Sequence, residues 1–422
     1  MLAVLAFTAC SSDNDESADA PHFYNVTLTA FMGDAETRAL SENGSNINAS
    51  FTTGDIVEVV DAHGNSVGTL TAQSSEVSTT LSGTITGSIN VNDVFTLHYL
   101  SATAKYDGQD GTLDGIAAHQ HFAEGTITVS STDPLTFTPS PVNLTPKQSV
   151  TKFSFKDNTN ADISVKTFGI AAPGLVNTIE IYSVETVKTV EKTVGAITGT
   201  LGTANSDVYV ALRNPSDTKQ TYAFTIKDAA GNWYKGTKKA KLIDGKNYTA
   251  DVTLTKWIDK DATLNNQSAD GAIGIVNGLP AIAVTINSTK VAVALMNVGA
   301  LCPEAYGTYY IFNDQASGLP NGWYVPTRDE LTALISSAVW DTQNGVNGRS
   351  RTIGGNTLFL PAGGFKDNDN DLYNVTTFGY YWSSEIYNTE RAYSYQFSAS
   401  VNSTNSSEKA DALPVRPFHA LN

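Results

Sequence analysis

The chain has 422 residues, which at roughly 150 residues per domain suggests about three domains. Hydrophobic residues at 41 % and aromatics at 9 % exclude a disordered chain. Charged residues at only 16 % leave Thr, Ser, Asn and Gly as polar filler, the composition of β-sandwiches and not of helix bundles. The net charge of −16 excludes a sequence-independent grip on nucleic acid; no apolar run approaches the ~20 residues of a membrane helix, and Cys10 and Cys302 cannot build a disulfide framework.

The charge is unevenly placed. Residues 1–144 hold 2 basic and 17 acidic residues, residues 145–257 hold 15 and 10, and residues 258–422 hold 9 and 15. The sign changes fall at Pro139, Pro141 and Pro146 and around Trp257 to Asp261, so the expected division is a leader over 1–20 and units over 21–144, 145–257 and 258–422.

The leader is a short apolar stretch, Leu2 to Ala9, ending in small residues before Cys10; an acidic tether follows, with Asp13, Asp15 and Glu16. It resembles a lipobox, whose cysteine thiol is acylated, followed by the export tag of surface-exposed bacterial lipoproteins. Phe7 stands where Leu is usual, and no Lys or Arg precedes the apolar run, which leaves the translation start open. The alternative is an ordinary signal peptide with an incidental cysteine. The resemblance implies Cys10 as an anchor to the outer membrane.

From Phe23 onward the chain reads as strands. Residues 23–31 are rich in β-formers, residues 54–60 lead into a turn cluster at 61–65, and short strands with turn signals continue to Thr138. Residues 145–257 repeat the style at 150–155, 206–212, 222–226 and 248–254, with a hairpin turn around Asp228 to Asn232. This is sandwich spacing, and no helix longer than a turn or two is required. His119 and His121 could offer two imidazoles on one strand face, a zinc half-site that no nearby cysteine completes; a solvated loop pair is the plainer expectation.

Glu36, Thr37, Arg38 and Ala39 after a first strand, then Phe51 to Val57, give these two units their resemblance to the fimbrillins, subunits of type V pili. The resemblance implies cleavage after Arg38 by a trypsin-like protease, release of the first strand, and donor-strand exchange with other pilus subunits. Main-chain hydrogen bonds give such exchange its affinity and side-chain pockets its specificity. Arg38 is the first arginine of the chain, with none following before Arg213. The bland reading is a solvated loop arginine.

The third unit carries the most specific strings: Met296 to Ala300, Pro303 to Gly307, Gly322 to Leu331, Leu358 to Phe365, Gly379 to Glu385, and Leu413 to Phe418. Their order resembles the α+β C-type-lectin-like domains of bacterial major paralogous surface proteins and phage tropism determinants. The expected whole is mainly β, two tandem pilin-like β-sandwiches before an α+β lectin-like head. Thr327 and Glu330 make a capping box for a short helix whose Leu331, Leu334 and Ile335 face inward; Asp329 and Glu330, adjacent on that helix, point apart and are not read as a catalytic pair. Trp323 and Trp382 are expected as core aromatics and Arg416 as a structural ion-pair former.

Asp367, Asp369 and Asp371 alternate as Ca²⁺ ligands would. Leu372 stands where an EF-hand has its glycine and Phe378 where it has its bidentate Glu, so a solvated loop is preferred and no metal or cofactor is expected. The related formylglycine-generating enzymes need paired cysteines, and this unit has Cys302 alone; its one histidine, His419, offers no triad. No catalytic constellation is read, so the chain is expected to be a non-enzymatic cell-surface adhesin, as a fimbrial tip subunit that binds a host or microbial glycan or protein. The alternatives are a non-polymerising surface lipoprotein and, behind it, a surface glycan-processing enzyme. The ligand is expected on loops 368–374 and 387–395, through Asn368, Asp369, Asn370, Tyr373, Tyr387, Asn388, Glu390, Arg391 and Tyr393, with Tyr395 on the same strand face as Tyr393. The bland reading makes these tyrosines cap the core with their hydroxyls in water.

Overall fold

A computed structural model describes residues 22–32, 41–43, 46–48, 50–99, 103–182, 188–193 and 196–421. Cys10 and Arg38 lie outside the described residues. The chain is mainly β, 55 % strand and 5 % helix.

The first sheet closes on itself. Ala123–Thr132 pairs with Val142–Pro146, then follow Phe23–Met32, Ser78–Thr86, Ser66–Ala72, Ile56–Val60 and Val94–Tyr99, which pairs back onto Ala123–Thr132. Closure removes the open edges of these seven strands, while Leu135–Thr138 pairs only with Ala123–Thr132 and keeps one edge free. The first strand is interior to this ring: nine antiparallel pairs join it to Ser78–Thr86, and Ala30, Phe31 and Met32 run parallel to Val142, Asn143 and Leu144. Period-2 alternation turns Val26, Leu28, Ala30 and Met32 into the core and Thr27 and Thr29 to solvent.

The second sheet runs in the order Ala196–Asn205, Val165–Ala171, Gln220–Asp228, Trp233–Ala240, Asn247–Ile258, Ser149–Asp157, Asp207–Leu212. Its two outer strands are bridged by chain from the first unit. Gly108 and Gln109 donate to Thr198 O, Thr200 donates to Gln109 O, and Tyr209 donates to Gly111 O. The Gln109 side chain acts as a piece of backbone, donating to Tyr106 O (2.7 Å) and Ala211 O (2.9 Å) and accepting from the Ala211 amide (2.8 Å). The helix Leu113–His119, capped by Thr112, follows; Tyr106, Ile116, Ala117 and Phe122 then join the second unit's core. That core therefore draws on residues ahead of the joint at 144/145.

The third unit wraps small sheets around the helix Arg328–Ile335. Ile273–Val276, Leu279–Ile286, Thr289–Ala294, Phe418–Ala420 and Trp323–Tyr324 form its five-stranded sheet. It is not a separate bead. Trp233 of the second unit shares a core with Ile258, at the joint, and with Ile282, Leu334 and Phe397 of the third. Cys302 fits so closely against Gly169 that a Cβ there would lie 2.5 Å from the Cys302 Cβ. No described helix is long and apolar enough to cross a membrane.

Candidate ligand-binding site

The helix Arg328–Ile335 anchors the site. Thr327 Oγ1 accepts from the Glu330 amide at 3.2 Å and Glu330 Oε2 accepts from the Thr327 amide at 2.8 Å, so the capping box forms, and Leu331, Leu334 and Ile335 are buried. The opposite carboxylate oxygen accepts from Tyr324 Oη at 2.7 Å. A partner not foreseen from sequence is Glu385, at the end of the strand Gly379–Ile386, which accepts the Arg328 amide at 2.5 Å. Two carboxylates thus complement the positive end of one helix.

That anchoring sets out an aromatic patch. The Arg328 guanidinium lies 4.8 Å from the centre of the Tyr393 ring, and Tyr393 meets Tyr387 edge-on at 5.2 Å. The Asp329 hydrogen bond holds the Arg328 pKa above its ordinary value. Beside them Ile386 is 61 % and Tyr387 54 % exposed. Of the residues expected on this loop, Tyr387 and Tyr393 are brought together. Asn388 instead closes the turn, its Oδ1 accepting from the Glu390 and Arg391 amides at 2.9 and 2.7 Å. Arg391 reaches across to Ser406 Oγ at 3.0 Å and to Ser406 O, with Glu408 at 3.8 Å. Glu390 is exposed, and its carbonyl accepts from the Lys409 amide. Tyr395 is 2 % exposed and packs in the core with Tyr381 and Phe397. Arg328 and Ile386 were missed: neither a helix-capping string nor a strand end announces which tyrosine it will meet.

The other loop is a tight hairpin between Phe365–Lys366 and Leu372–Tyr373. Asp367 Oδ1 accepts from the Asp369 and Asp371 amides at 3.0 and 2.9 Å, so this carboxylate holds the turn. Asn370, at φ +67°, accepts Lys366 Nζ at 2.9 Å through its own side-chain oxygen. Asn368 is exposed, Tyr373 stacks on Phe365 at 5.6 Å, and the Asp367 charge raises the Tyr373 pKa. Among the described residues no three His, Cys, Asp or Glu side chains are grouped to hold a metal ion.

Other expectations resolve on burial. Trp323 and Trp382 are core residues whose indole N–H groups donate to Val276 O (3.2 Å) and Tyr310 O (2.6 Å). Arg416 is fully buried but is no ion-pair former. Its guanidinium donates to Asn297 Oδ1, Ala294 O and Phe359 O at 2.9, 2.9 and 3.0 Å, so the partners are a loop side-chain amide and two backbone carbonyls, not carboxylates. Burial lowers its pKa. The histidine pair splits, with His119 exposed as expected and His121 buried. His119 ends a helix, while His121 is 1 % exposed against the Tyr99 ring, both ring nitrogens lack partners, and burial lowers its pKa to about 4. His419 meets the Trp323 ring edge-on at 5.5 Å and contacts Asn277 Nδ2 at 3.1 Å.

A family described as a domain of unknown function, DUF8237, matches residues 338–418, well under half of the chain. No curated protein matches. Among solved structures the chain is similar to a candidate cell adhesion protein of Bacteroides uniformis ATCC 8492, at 14 % identity and a TM-score of 0.35, over 55 % of this chain and 96 % of that one. It is similar to a fimbrilin of Porphyromonas gingivalis W83 at 11 % identity and a TM-score of 0.26, over 55 % and 97 %. A shaft pilin of Lactobacillus rhamnosus GG follows at 13 % and 0.22, over 56 % and 98 %. Likeness at these scores decides nothing about this chain's role.

Proposed function

We propose that the chain is a non-enzymatic cell-surface adhesin built as a pilus subunit, lipid-anchored through Cys10 during export and ending in a C-type-lectin-like head. The observation that carries this reading is the placement of the strand Phe23–Met32. It lies inside a closed sheet, hydrogen-bonded on both sides, with four side chains in the core, and the chain after it runs through Arg38. Cutting there frees the strand from everything except noncovalent pairing. Its departure opens a groove between Ser78–Thr86 and Val142–Pro146, floored by apolar side chains such as Leu81 and Leu144. A groove of that shape accepts a β-strand donated by another subunit.

The head binds its ligand through the patch of Arg328, Ile386, Tyr387 and Tyr393, whose aromatic area costs little conformational entropy to bury. The test is digestion of the whole exported chain with an Arg-specific protease, followed by mixing with fibre subunits. Cleavage after Arg38, release of the first strand and incorporation into fibres support the reading. An uncut chain, or a cut one that keeps its strand and stays monomeric, favours a free-standing surface lipoprotein; the closed first sheet, which is complete without a donor, suits that second reading. Hydrolysis of any glycan by the chain would overturn the non-enzymatic assignment.

A further inference from the structure

Chain from all three units lines a cleft of about 430 Å³, the size of one or two sugar rings. One wall carries Lys105, from the first-unit strand that pairs onto the second unit, with Asn177 and Thr178, and the other carries Tyr306, Tyr309 and Lys366 of the third unit. We propose that this cleft binds a carboxylate-bearing sugar, the uronate or sialate end of a glycan.

The positive charge is placed for it. Lys366 is held by Asn370 Oδ1 at 2.9 Å and stands 5.7 Å from the centre of the Tyr309 ring. Lys105 is exposed on the opposite wall, and among the described residues no hydrogen bond or ion pair engages its ammonium. Asp107 lines the same cleft, so one carboxylate stands with the two ammonium groups and leaves the lining with a net positive charge. Its Oδ1 accepts from the Thr198 amide and Thr198 Oγ1, both at 2.7 Å. Two ammonium groups in one cleft of a strongly acidic protein suit a single carboxylate and would concentrate it locally.

The rest of the lining suits a sugar ring. Tyr306 is 9 % exposed and packs in one cluster with Cys302, Val346 and Phe359, so it closes the cleft with apolar ring surface. Tyr309 Oη donates to Gly363 O, which fixes that ring. Asn177 Nδ2 donates to Ala196 O at 3.1 Å and Thr178 Oγ1 to Asn177 Oδ1 at 2.8 Å, leaving lone pairs for ligand hydroxyls. An acidic peptide, extending ~3.3 Å per residue, needs a longer trough and an open strand edge. The walls are fixed relative to one another because Cys302 packs between Ala171, Ala196 and Phe359 behind the cleft.

This inference deepens the adhesin reading but is separable from it, since the uncut chain is the test protein and no assembly is required. Galacturonate, N-acetylneuraminate, neutral galactose and a Glu-rich hexapeptide are titrated calorimetrically into the full chain. At least one carboxylated sugar is expected to bind tenfold or more tighter than galactose, and which one identifies the source. Lys105→Gln combined with Lys366→Gln should weaken that binding at least tenfold at unchanged melting temperature. Val339→Ala, exposed and outside both the cleft and the aromatic patch, should leave binding unchanged. If the double variant fails to fold, Lys105→Gln alone, an exposed site, decides. Equal binding of galactose, tighter binding of the peptide, no sugar binding at all, or full binding by the lysine variants would each overturn the assignment.

Discussion

Arg416 offers the sharpest test of how the third unit is held together. It is completely buried, and its three hydrogen bonds run to Ala294 at the end of one strand, Phe359 within another, and Asn297 in the loop between units of sheet. Asn297 passes the connection on, donating to Tyr306 O at 2.9 Å and Tyr381 Oη at 3.2 Å, and Tyr381 donates to Pro361 O at 3.0 Å. Arg416→Met keeps the volume and removes every donor. Bonds from a charged donor contribute about 1.5–3 kcal/mol each, so three give a gross loss of roughly 5–9 kcal/mol. Relief from burying an uncompensated charge offsets several of these. The expected net loss is about 3–5 kcal/mol, which for a unit of this size lowers Tm by roughly 6–20 °C. Arg416→Lys keeps the charge but reaches fewer of the three carbonyls and should fall between, near 2–3 kcal/mol. Urea denaturation followed by tryptophan fluorescence measures both. A methionine variant within 1 kcal/mol of the parent would refute the claim that this network sets the stability; a lysine variant equal to the parent would show that charge, not the forked geometry, is what matters.

Gln109→Leu strips both sides of the Ala211 backbone of their partner and should cost about 2–4 kcal/mol, with faster hydrogen exchange at the Ala211 amide as the local readout. His121 is neutral in the fold, with its pKa lowered to about 4 against 6.5 unfolded. The unfolded chain therefore binds more protons between these values, and stability falls by about 3 kcal/mol as pH drops from 6.5 toward 4; His121→Phe should flatten that slope in denaturation midpoints taken across the window. Thr327→Ala removes half of the capping box and should cost about 1 kcal/mol by the same denaturation assay while Leu331, Leu334 and Ile335 stay packed.

What the sequence determined by itself was short-range. Alternation along Phe23–Met32, the Thr327 and Glu330 box three residues apart, and the turn-forming Asp and Asn residues of loop 367–374 depend on neighbours within a few positions, and chain composition already demanded a β protein. Tertiary structure decided everything that closes over distance. Pairing of Val94–Tyr99 with Ala123–Thr132 turned an expected sandwich face into a ring, and Gln109 found its partner 102 residues away at Ala211. Arg416 met Asn297 and Ala294 across 119 and 122 residues, and carbonyls there replaced the expected carboxylate. Tyr395 and Tyr393 share a strand but not an environment, since burial is set by what packs above each ring. The carbonyls that meet such a side chain come together only once every strand has its register, and no local pattern records them.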